Sequence, residues 1–112
     1  DILHIKDLFE LVDHQIKNIK DYNGDIFNVG GGLNTSISLK ELTQFCQNIT
    51  GNTISIKSKM ENRSSDIPIY ITDNSKITSQ IKWQPTIGVE QIMTEIFDWI
   101  KNNEKDLKQI LA

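Results

Sequence analysis

A single stretch of the chain, Asp25–Leu42, strongly limits the folds that the sequence can adopt. It begins with a short apolar run, which three consecutive glycines end, and it continues into a polar loop. The apolar run predicts a buried strand at Asp25–Val29, and glycine readily ends a strand in a sharp turn. Ser38 and Glu41 have the spacing of a capping box, which predicts a helix that begins at Leu39. This order is typical of α/β proteins, in which free backbone N–H groups at the carboxyl ends of strands bind ligands.

Hydrophobic periodicity extends this pattern along the chain. Apolar residues recur at helical spacing in three stretches, and Asp7 is expected to cap the first of them. The predicted amphipathic helices lie at about Asp7–Lys20, Leu39–Thr50 and Val89–Lys101. Alternating apolar residues predict a second, half-buried strand at Thr53–Lys57. We also expect a short helix around Ile77, capped by Asp73 or Asn74. The prediction is a small α/β domain in which amphipathic helices cover short strands.

The composition is that of one ordinary globular domain. The chain has 112 residues, of which 38% are hydrophobic, and this is enough for one core. Its net charge of −3 gives no indication of binding to nucleic acid or to an anionic membrane. A single cysteine, Cys46, excludes an internal disulfide framework and suits a reducing compartment, so we expect a cytoplasmic protein. No apolar run is long enough to predict a membrane-spanning helix or a signal peptide.

The residues that usually carry catalysis or bind metals are few and widely separated. His4, His14 and Cys46 lack the spacing of metal ligands. We interpret His4 as a packed, hydrogen-bonded residue, His14 as solvated and Cys46 as part of an apolar helix face. The three glycines lack the spacing of a dinucleotide-binding fingerprint, so they predict a turn better than a phosphate site. The residues alone predict no catalytic, metal-binding or cofactor-binding group in this chain.

One side chain stands out from the other cations. Arg63 is the only arginine in a chain with 12 lysines and arginines, and it lies in a polar loop three residues before Asp66. A guanidinium can hold phosphate oxygens in a bidentate fork, and a carboxylate can accept hydrogen bonds from ribose hydroxyls. The alternative is a solvated loop arginine paired with Asp66 or Glu61, and composition alone favours that alternative.

Six segments, taken together and in order, resemble one enzyme family. They are DILHI at 1–5, DIFNVGGGLNTSISLKEL at 25–42, RSSD at 63–66, D-x-x-K at 73–76, KW-x-P at 82–85 and the terminal helix with DWI at 98–100. The set is similar to the carboxyl-terminal part of the extended short-chain dehydrogenase/reductases, which include the NAD-dependent nucleotide-sugar epimerases and dehydratases. The second segment most resembles the CDP-paratose (CDP-tyvelose) 2-epimerase branch.

The resemblance implies a role for two residues of the loop. In the family, an R-x-x-D loop in this region holds the nucleotide sugar. By this resemblance Arg63 would contact the diphosphate and Asp66 would lie near the ribose. The strand at Asp25–Val29 would join the edge of a Rossmann sheet, and the glycine turn would face the nucleotide end of the substrate.

Two features that the family uses for catalysis are missing from this sequence. The cofactor fingerprint is absent, and no Tyr-x-x-x-Lys pair is present because Ile26 follows Tyr22, and Asn74 follows Tyr70, at that spacing. The chain also begins inside a predicted strand, Ile2–Ile5. We therefore expect the substrate-binding part of a longer enzyme, inactive by itself, with NAD bound by an amino-terminal Rossmann domain outside this chain.

The expected partners follow from this interpretation. They are a nucleotide-sugar substrate and the missing Rossmann domain, and an uncovered strand edge or helix face also favours a homodimer. Two alternatives stay open. The chain could be a non-catalytic binding or oligomerisation domain that retains the fold, or its parent could be a nucleotide-sugar 4-epimerase or 4,6-dehydratase.

Overall fold

The fold of the described part of the chain consists of helices joined by irregular segments. The computed structural model describes residues 1–22, 24–57, 65 and 67–111. The α-helices in this part are α1 (Ile5–Lys17), α2 (Ile19–Tyr22), α3 (Leu39–Thr50), α4 (Ser75–Ile81), α5 (Val89–Asn102) and α6 (Glu104–Leu111). A short 3₁₀ turn at Leu33–Thr35 follows the glycines.

The helix predicted at Leu39–Thr50 is confirmed with both of its ends. The Ser38 hydroxyl accepts from the backbone N–H of Glu41 at 3.2 Å, and the Glu41 carboxylate accepts from the backbone N–H of Ser38 at 3.0 Å. The Ser38 hydroxyl also donates to the Glu41 carboxylate at 2.6 Å, and this hydrogen bond, together with the one from the Ser38 backbone N–H, lowers the pKa of Glu41. Gly51 ends the helix with a φ of 70°, a left-handed conformation that favours glycine. Local sequence alone therefore determines where α3 begins and ends.

The first predicted helix differs from the structure at both ends. It begins at Ile5 instead of Asp7, because the His4 ring accepts a hydrogen bond from the backbone N–H of Lys6 at 3.0 Å and so caps the helix. It ends at Lys17, and α2 follows as a separate short turn of helix. The prediction that Asp7 is the cap is wrong, since the Asp7 side chain is buried elsewhere.

The α4 and α5 predictions hold more closely. Asn74, one of the two predicted caps, is the N-cap residue of α4, but its side chain makes no capping hydrogen bond; the Asp73 carboxylate, one residue earlier, accepts from the backbone N–H of Ser75 at 2.8 Å. Helix α5 begins at Val89 as predicted and extends one residue further, to Asn102.

None of the predicted strands is found among the described residues. The strand predicted at Ile2–Ile5 is absent because the chain has no regular structure there until α1 begins at Ile5. Asp25–Val29 and Thr53–Lys57 have no regular secondary structure, so the α/β fold class is not confirmed. A strand needs a neighbouring backbone to hydrogen-bond with, and the described part of the chain supplies none at either segment. Instead, the Lys76 ammonium donates to the carbonyl of Ile26 at 2.9 Å, and the Gln47 amide donates to the carbonyl of Ile54 at 3.1 Å.

The core is small for a chain of this length. Leu11, Tyr22 and Ile77 form the buried cluster, and four partly buried side chains pack against it. These four are Phe27, Val29, Ile81 and Trp83. The radius of gyration is 17.8 Å, against about 13 Å for a compact chain of this length. Much apolar surface therefore stays open to solvent.

One regular part of that open surface lies on α1 and α2. Five exposed apolar side chains alternate at spacings of four and three residues, so they form one stripe along the helix. This α1 stripe consists of Ile5, Phe9, Val12, Ile16 and Ile19. The opposite face of α1 carries the buried Leu11 and Asp7, so α1 packs against the rest of the structure on one side and exposes apolar side chains on the other.

Candidate functional site

The glycine turn is a junction of three segments that are distant in sequence. The Asn74 side chain holds Gly30 twice: its oxygen accepts from the Gly30 N–H at 3.1 Å, and its amide donates to the Gly30 carbonyl at 2.8 Å. On the other side, Thr35 and Ile2 are joined by a hydroxyl-to-carbonyl bond of 2.7 Å and a backbone bond of 3.2 Å. The turn is thus fixed from both directions.

Asp1 completes this junction. One of its carboxylate oxygens accepts from the backbone N–H of Gly32 at 2.9 Å and from the backbone N–H of Thr72 at 2.7 Å. Its amino nitrogen donates to the carbonyl of Tyr70 at 3.3 Å. A single residue therefore ties the glycine turn to the segment that leads into α4.

These contacts contradict the expectation that the glycine turn leaves its backbone N–H groups free for a ligand, and they support its interpretation as a turn. The N–H groups of Gly30 and Gly32 are not free for a ligand, because Asn74 and Asp1 already accept from them. The glycines therefore act as a turn, as predicted, and these two N–H groups do not fit the pyrophosphate of NAD.

Close packing explains why three glycines stand together. A Cβ atom at Gly30 would overlap the side chain of Thr72, and one at Gly31 would overlap the Ile2 carbonyl oxygen and the Thr35 hydroxyl. Gly32 has a φ of 71°, which favours glycine for backbone reasons. Each glycine thus meets a separate requirement of the junction.

A polar cleft lies beside this turn. The side chains of Asn34, Asp73 and Gln84 contribute to its lining, together with the backbone of Gly32. Hydrogen bonds from the Ser75 backbone and hydroxyl lower the pKa of Asp73, so this carboxylate stays ionised at neutral pH. The cleft can hydrogen-bond to hydroxyl groups, but Asp73 is not suited to act as a general acid.

A second junction anchors α1 to the segment before α5. The Asp7 carboxylate accepts from the Thr86 backbone N–H at 3.2 Å, the Thr86 hydroxyl at 2.8 Å and the Ile87 backbone N–H at 3.1 Å. The Trp83 indole donates to the Asp7 carbonyl at 3.2 Å. Asp7 is only 1% exposed. Its place four residues before Leu11, on the same helix face, was the sequence signal for this buried role.

The D-x-x-K segment also has a structural explanation. The Asp73 carboxylate accepts from the backbone N–H of Ser75 at the start of α4, and Lys76, three residues after Asp73, holds the chain before the glycine turn. The Lys76 ammonium lies 3.3 Å from the Asp25 carboxylate and 4.7 Å from the centre of the Phe27 ring. Two of the segments that carry the family resemblance are therefore part of the framework around the glycine turn.

The remaining candidate residues have different outcomes. Arg63 and Asp66 lie outside the described residues. The His4 interpretation is confirmed: its ring nitrogen Nδ1 accepts from Lys6, so Nε2 carries the proton and donates to Glu95 at 2.9 Å. His14 is exposed, as predicted, with its ring edge-on to Tyr22 at 6.2 Å.

Two negative findings apply to the described residues. Within them, no three acidic, histidine or cysteine side chains converge as metal ligands. None of the helices described there combines the length and apolar character needed to cross a membrane.

Comparison with known proteins shows that the chain is similar to several nucleotide-sugar epimerases. The chain is 28% identical over 99 residues to the CDP-paratose 2-epimerase of Salmonella typhi, covering 88% of this chain and 29% of that enzyme. It is 28% identical over 98 residues to the UDP-glucuronate 4-epimerase of Thermodesulfobacterium geofontis, covering 85% and 29%. It is 29% identical over 109 residues to the UDP-glucose 4-epimerase of Haemophilus influenzae, covering 94% and 30%.

Each match covers about the same share of the relative's length. The chain spans about three tenths of the length of the curated relatives that it matches. No protein-family model matches the chain, and no solved structure matches it at a significant level. Nearly the whole chain is nevertheless similar to each of these enzymes, and its resemblance to the nucleotide-sugar epimerases is confirmed.

Proposed function

We propose that this chain is the substrate-binding part of an NAD-dependent nucleotide-sugar epimerase. In this proposal Arg63 contacts the diphosphate of the substrate and Asp66 accepts a hydrogen bond from the ribose. The observation that carries the proposal is the similarity to three epimerases over 85% to 94% of the chain.

The names of the relatives define the substrate class. They differ in the nucleotide, in the sugar and in the carbon that is epimerised, whereas a nucleoside diphosphate joined to a sugar is common to all three. A loop that serves all of them would recognise the shared diphosphate and ribose. Within this class we favour a CDP-sugar 2-epimerase, since the glycine-rich segment at 25–42 is most similar to that branch.

The proposal gives this chain a role in binding and orientation. The glycine-turn junction and the Asp7 junction hold the irregular segments in place without a sheet. Hydride transfer needs a bound nicotinamide and a base beside the sugar carbon, and the proposal assigns both to a Rossmann domain outside residues 1–112. The glycine turn itself does not fit NAD, because its Gly30 and Gly32 N–H groups are engaged.

The proposed Rossmann domain would also complete the fold of this chain. Asp25–Val29 would pair with the edge of the Rossmann sheet and become a strand, which would restore the α/β class. The α1 stripe would pack against that domain, because uncovered apolar surface of this kind marks an interface.

The test is a titration with nucleoside diphosphates. CDP and UDP are titrated by calorimetry into the protein as its gene encodes it, as wild type, Arg63→Ala, Arg63→Lys and Asp66→Ala. Loss of a bidentate charge-assisted contact should cost about 2–4 kcal/mol, or roughly 30- to 1000-fold in Kd. Lysine should not rescue binding, because a point charge cannot reproduce the fork. Asp66→Ala should cost less, since it removes a contact to a neutral hydroxyl.

A matched control separates specific contact from net charge. Lys57→Ala removes one positive charge from an exposed residue of a neighbouring segment, and its Kd should stay within about threefold of the wild type. If both Arg63 variants also stay within about threefold, a difference of less than 1 kcal/mol, Arg63 is a solvated loop residue and the proposed site is wrong.

One observation supports the alternative of an oligomerisation domain. The α1 stripe exposes five large apolar side chains, from 42% at Val12 to 72% at Ile5. A second copy could cover this face. Light scattering at high protein concentration tests it: a mass of two chains that falls to one in an Ile16→Glu variant supports this alternative, and a mass of one chain in the wild type contradicts it.

A further inference from the structure

We propose that the polar cleft beside the glycine turn binds a neutral sugar ring. The cleft is lined by residues 31–34, 72–74, 78 and 84–85. This inference goes beyond the proposed function, which assigns an anionic nucleotide to Arg63 and Asp66.

The polar side chains of the cleft match the chemistry of hydroxyl groups. Asn34 and Gln84 each offer an amide donor and a carbonyl acceptor, and both are exposed, so a ligand can reach them. Asp73 accepts from Ser75 through one carboxylate oxygen, and an ionised carboxylate has room for further hydrogen bonds. A hydroxyl group both donates and accepts, so neighbouring hydroxyls on one ring can bond to this mixed set.

The charge of the lining disfavours an anionic ligand. Among the described residues that line the cleft there is no lysine, arginine or histidine, and Asp73 carries a negative charge. This carboxylate would repel a phosphate or a carboxylate. The Ser75 N–H at the start of α4 is also taken, because it donates to Asp73 at 2.8 Å. The cleft therefore suits a neutral ligand.

The size and the apolar part of the lining fit a single ring. The cleft has a volume of about 260 Å³, which is below the range of about 300–1,000 Å³ for sites that hold drug-sized ligands. Leu33, which is 72% exposed, and Pro85 add apolar surface to the lining. Binding sites combine such apolar surface with a few placed polar groups. The C–H face of a sugar ring can pack against these two side chains while its hydroxyls reach the polar ones.

Both walls of the cleft are held in place by hydrogen bonds. On one side, Asn74 holds the glycine turn through two hydrogen bonds. On the other side, the Thr78 hydroxyl donates to the Trp83 carbonyl at 2.8 Å and fixes the turn that leads to Gln84. A site that is already ordered loses less entropy when a ligand binds. Because these contacts do not involve the side chains of Asn34 and Gln84, substitution of those two residues should leave the walls intact.

A titration with glucose tests the proposal, followed by saturation-transfer NMR on the protein as its gene encodes it. We expect a Kd of about 1–10 mM, since each exposed hydrogen bond has a small net effect. Asn34→Ala and Gln84→Ala should each weaken binding by about 3- to 10-fold. Asp73→Asn keeps an oxygen for the Ser75 N–H but loses the charged acceptor, and it should weaken binding by about 10-fold.

Two controls separate a specific site from general surface effects. Asn52→Ala removes an exposed amide that does not line the cleft, and its Kd should stay within about twofold of the wild type. Glucose 6-phosphate should bind at least about threefold more weakly than glucose, because Asp73 repels its phosphate.

Three outcomes would overturn the inference. The first is the absence of saturation transfer at about 50 mM glucose, well above the expected Kd. The second is glucose binding that stays within about twofold of the wild type in both Asn34→Ala and Gln84→Ala. The third is loss of glucose binding in Arg63→Ala, which would place the sugar at the proposed nucleotide site. The proposed function is judged separately, by the titration of CDP and UDP into the same Arg63→Ala protein.

Discussion

Replacing Asp7 with alanine should strongly destabilise the protein. Its buried carboxylate accepts three hydrogen bonds, two from backbone N–H groups and one from the Thr86 hydroxyl. The hydroxyl can rotate to another partner, whereas the N–H groups of Thr86 and Ile87 would lose their acceptor. Ile87 is buried and Thr86 is exposed, so one buried donor is left unpaired, at about 1–3 kcal/mol. The lost bonds of Thr86 to a charged acceptor add to this cost, and we expect a loss of about 3 kcal/mol in the free energy of unfolding.

Urea denaturation followed by circular dichroism measures this loss. Trp83 provides a second, local signal, because its indole donates to the Asp7 carbonyl and its fluorescence reports on the same junction. Asp7→Asn should also be destabilised, since the new amide group would face N–H donors. Asp13→Ala is the matched control: it removes a carboxylate that is paired with Lys17 on the surface of α1, and it should change stability by less than about 1 kcal/mol. An Asp7→Ala protein within 0.5 kcal/mol of the wild type, about the spread of neutral surface substitutions, would refute this account of the junction.

Three further predictions address the framework around the site. Gly31→Ala should cost at least about 2 kcal/mol in urea denaturation because its Cβ would overlap two neighbouring oxygens, whereas Gly88→Ala, with open space around it, should cost little. Lys76→Met, at a half-exposed site, should cost about 1 kcal/mol or less by the same measurement, and a larger loss would contradict a surface clamp. Burial, with a smaller contribution from the neighbouring carboxylate, raises the pKa of Tyr22, so stability should fall as the pH rises above about 10, where only the unfolded phenol ionises. Tyr22→Phe should abolish that fall without destabilising the protein at neutral pH, because among the described residues the buried hydroxyl has no partner; an unchanged alkaline slope would contradict this.

The features that the sequence predicted well are local. Helix α3 is specified by Ser38, Glu41 and Gly51, which all lie within its own ends or next to them. The turn at the three glycines is also local. In such cases a few neighbouring residues satisfy the backbone groups, and no distant partner is needed.

The features that the sequence missed depend on distant partners. The predicted strand at Asp25–Val29 needs a neighbouring strand, and in the described residues Lys76 holds this segment instead. Asp7 was interpreted as a helix cap because its partners, Thr86 and Ile87, lie 79 and 80 residues away. The junction made by Asp1 has the same origin. Arg63 and Asp66 remain predictions from the family resemblance.

A structure of the protein with bound CDP or UDP would test the central claim most directly. The account predicts that the diphosphate oxygens lie at charge-assisted hydrogen-bond distance, about 2.7–2.9 Å, from the Arg63 guanidinium. It also predicts that a ribose hydroxyl donates to the Asp66 carboxylate. A nucleotide bound at another surface, with Arg63 directed into solvent, would contradict the claim.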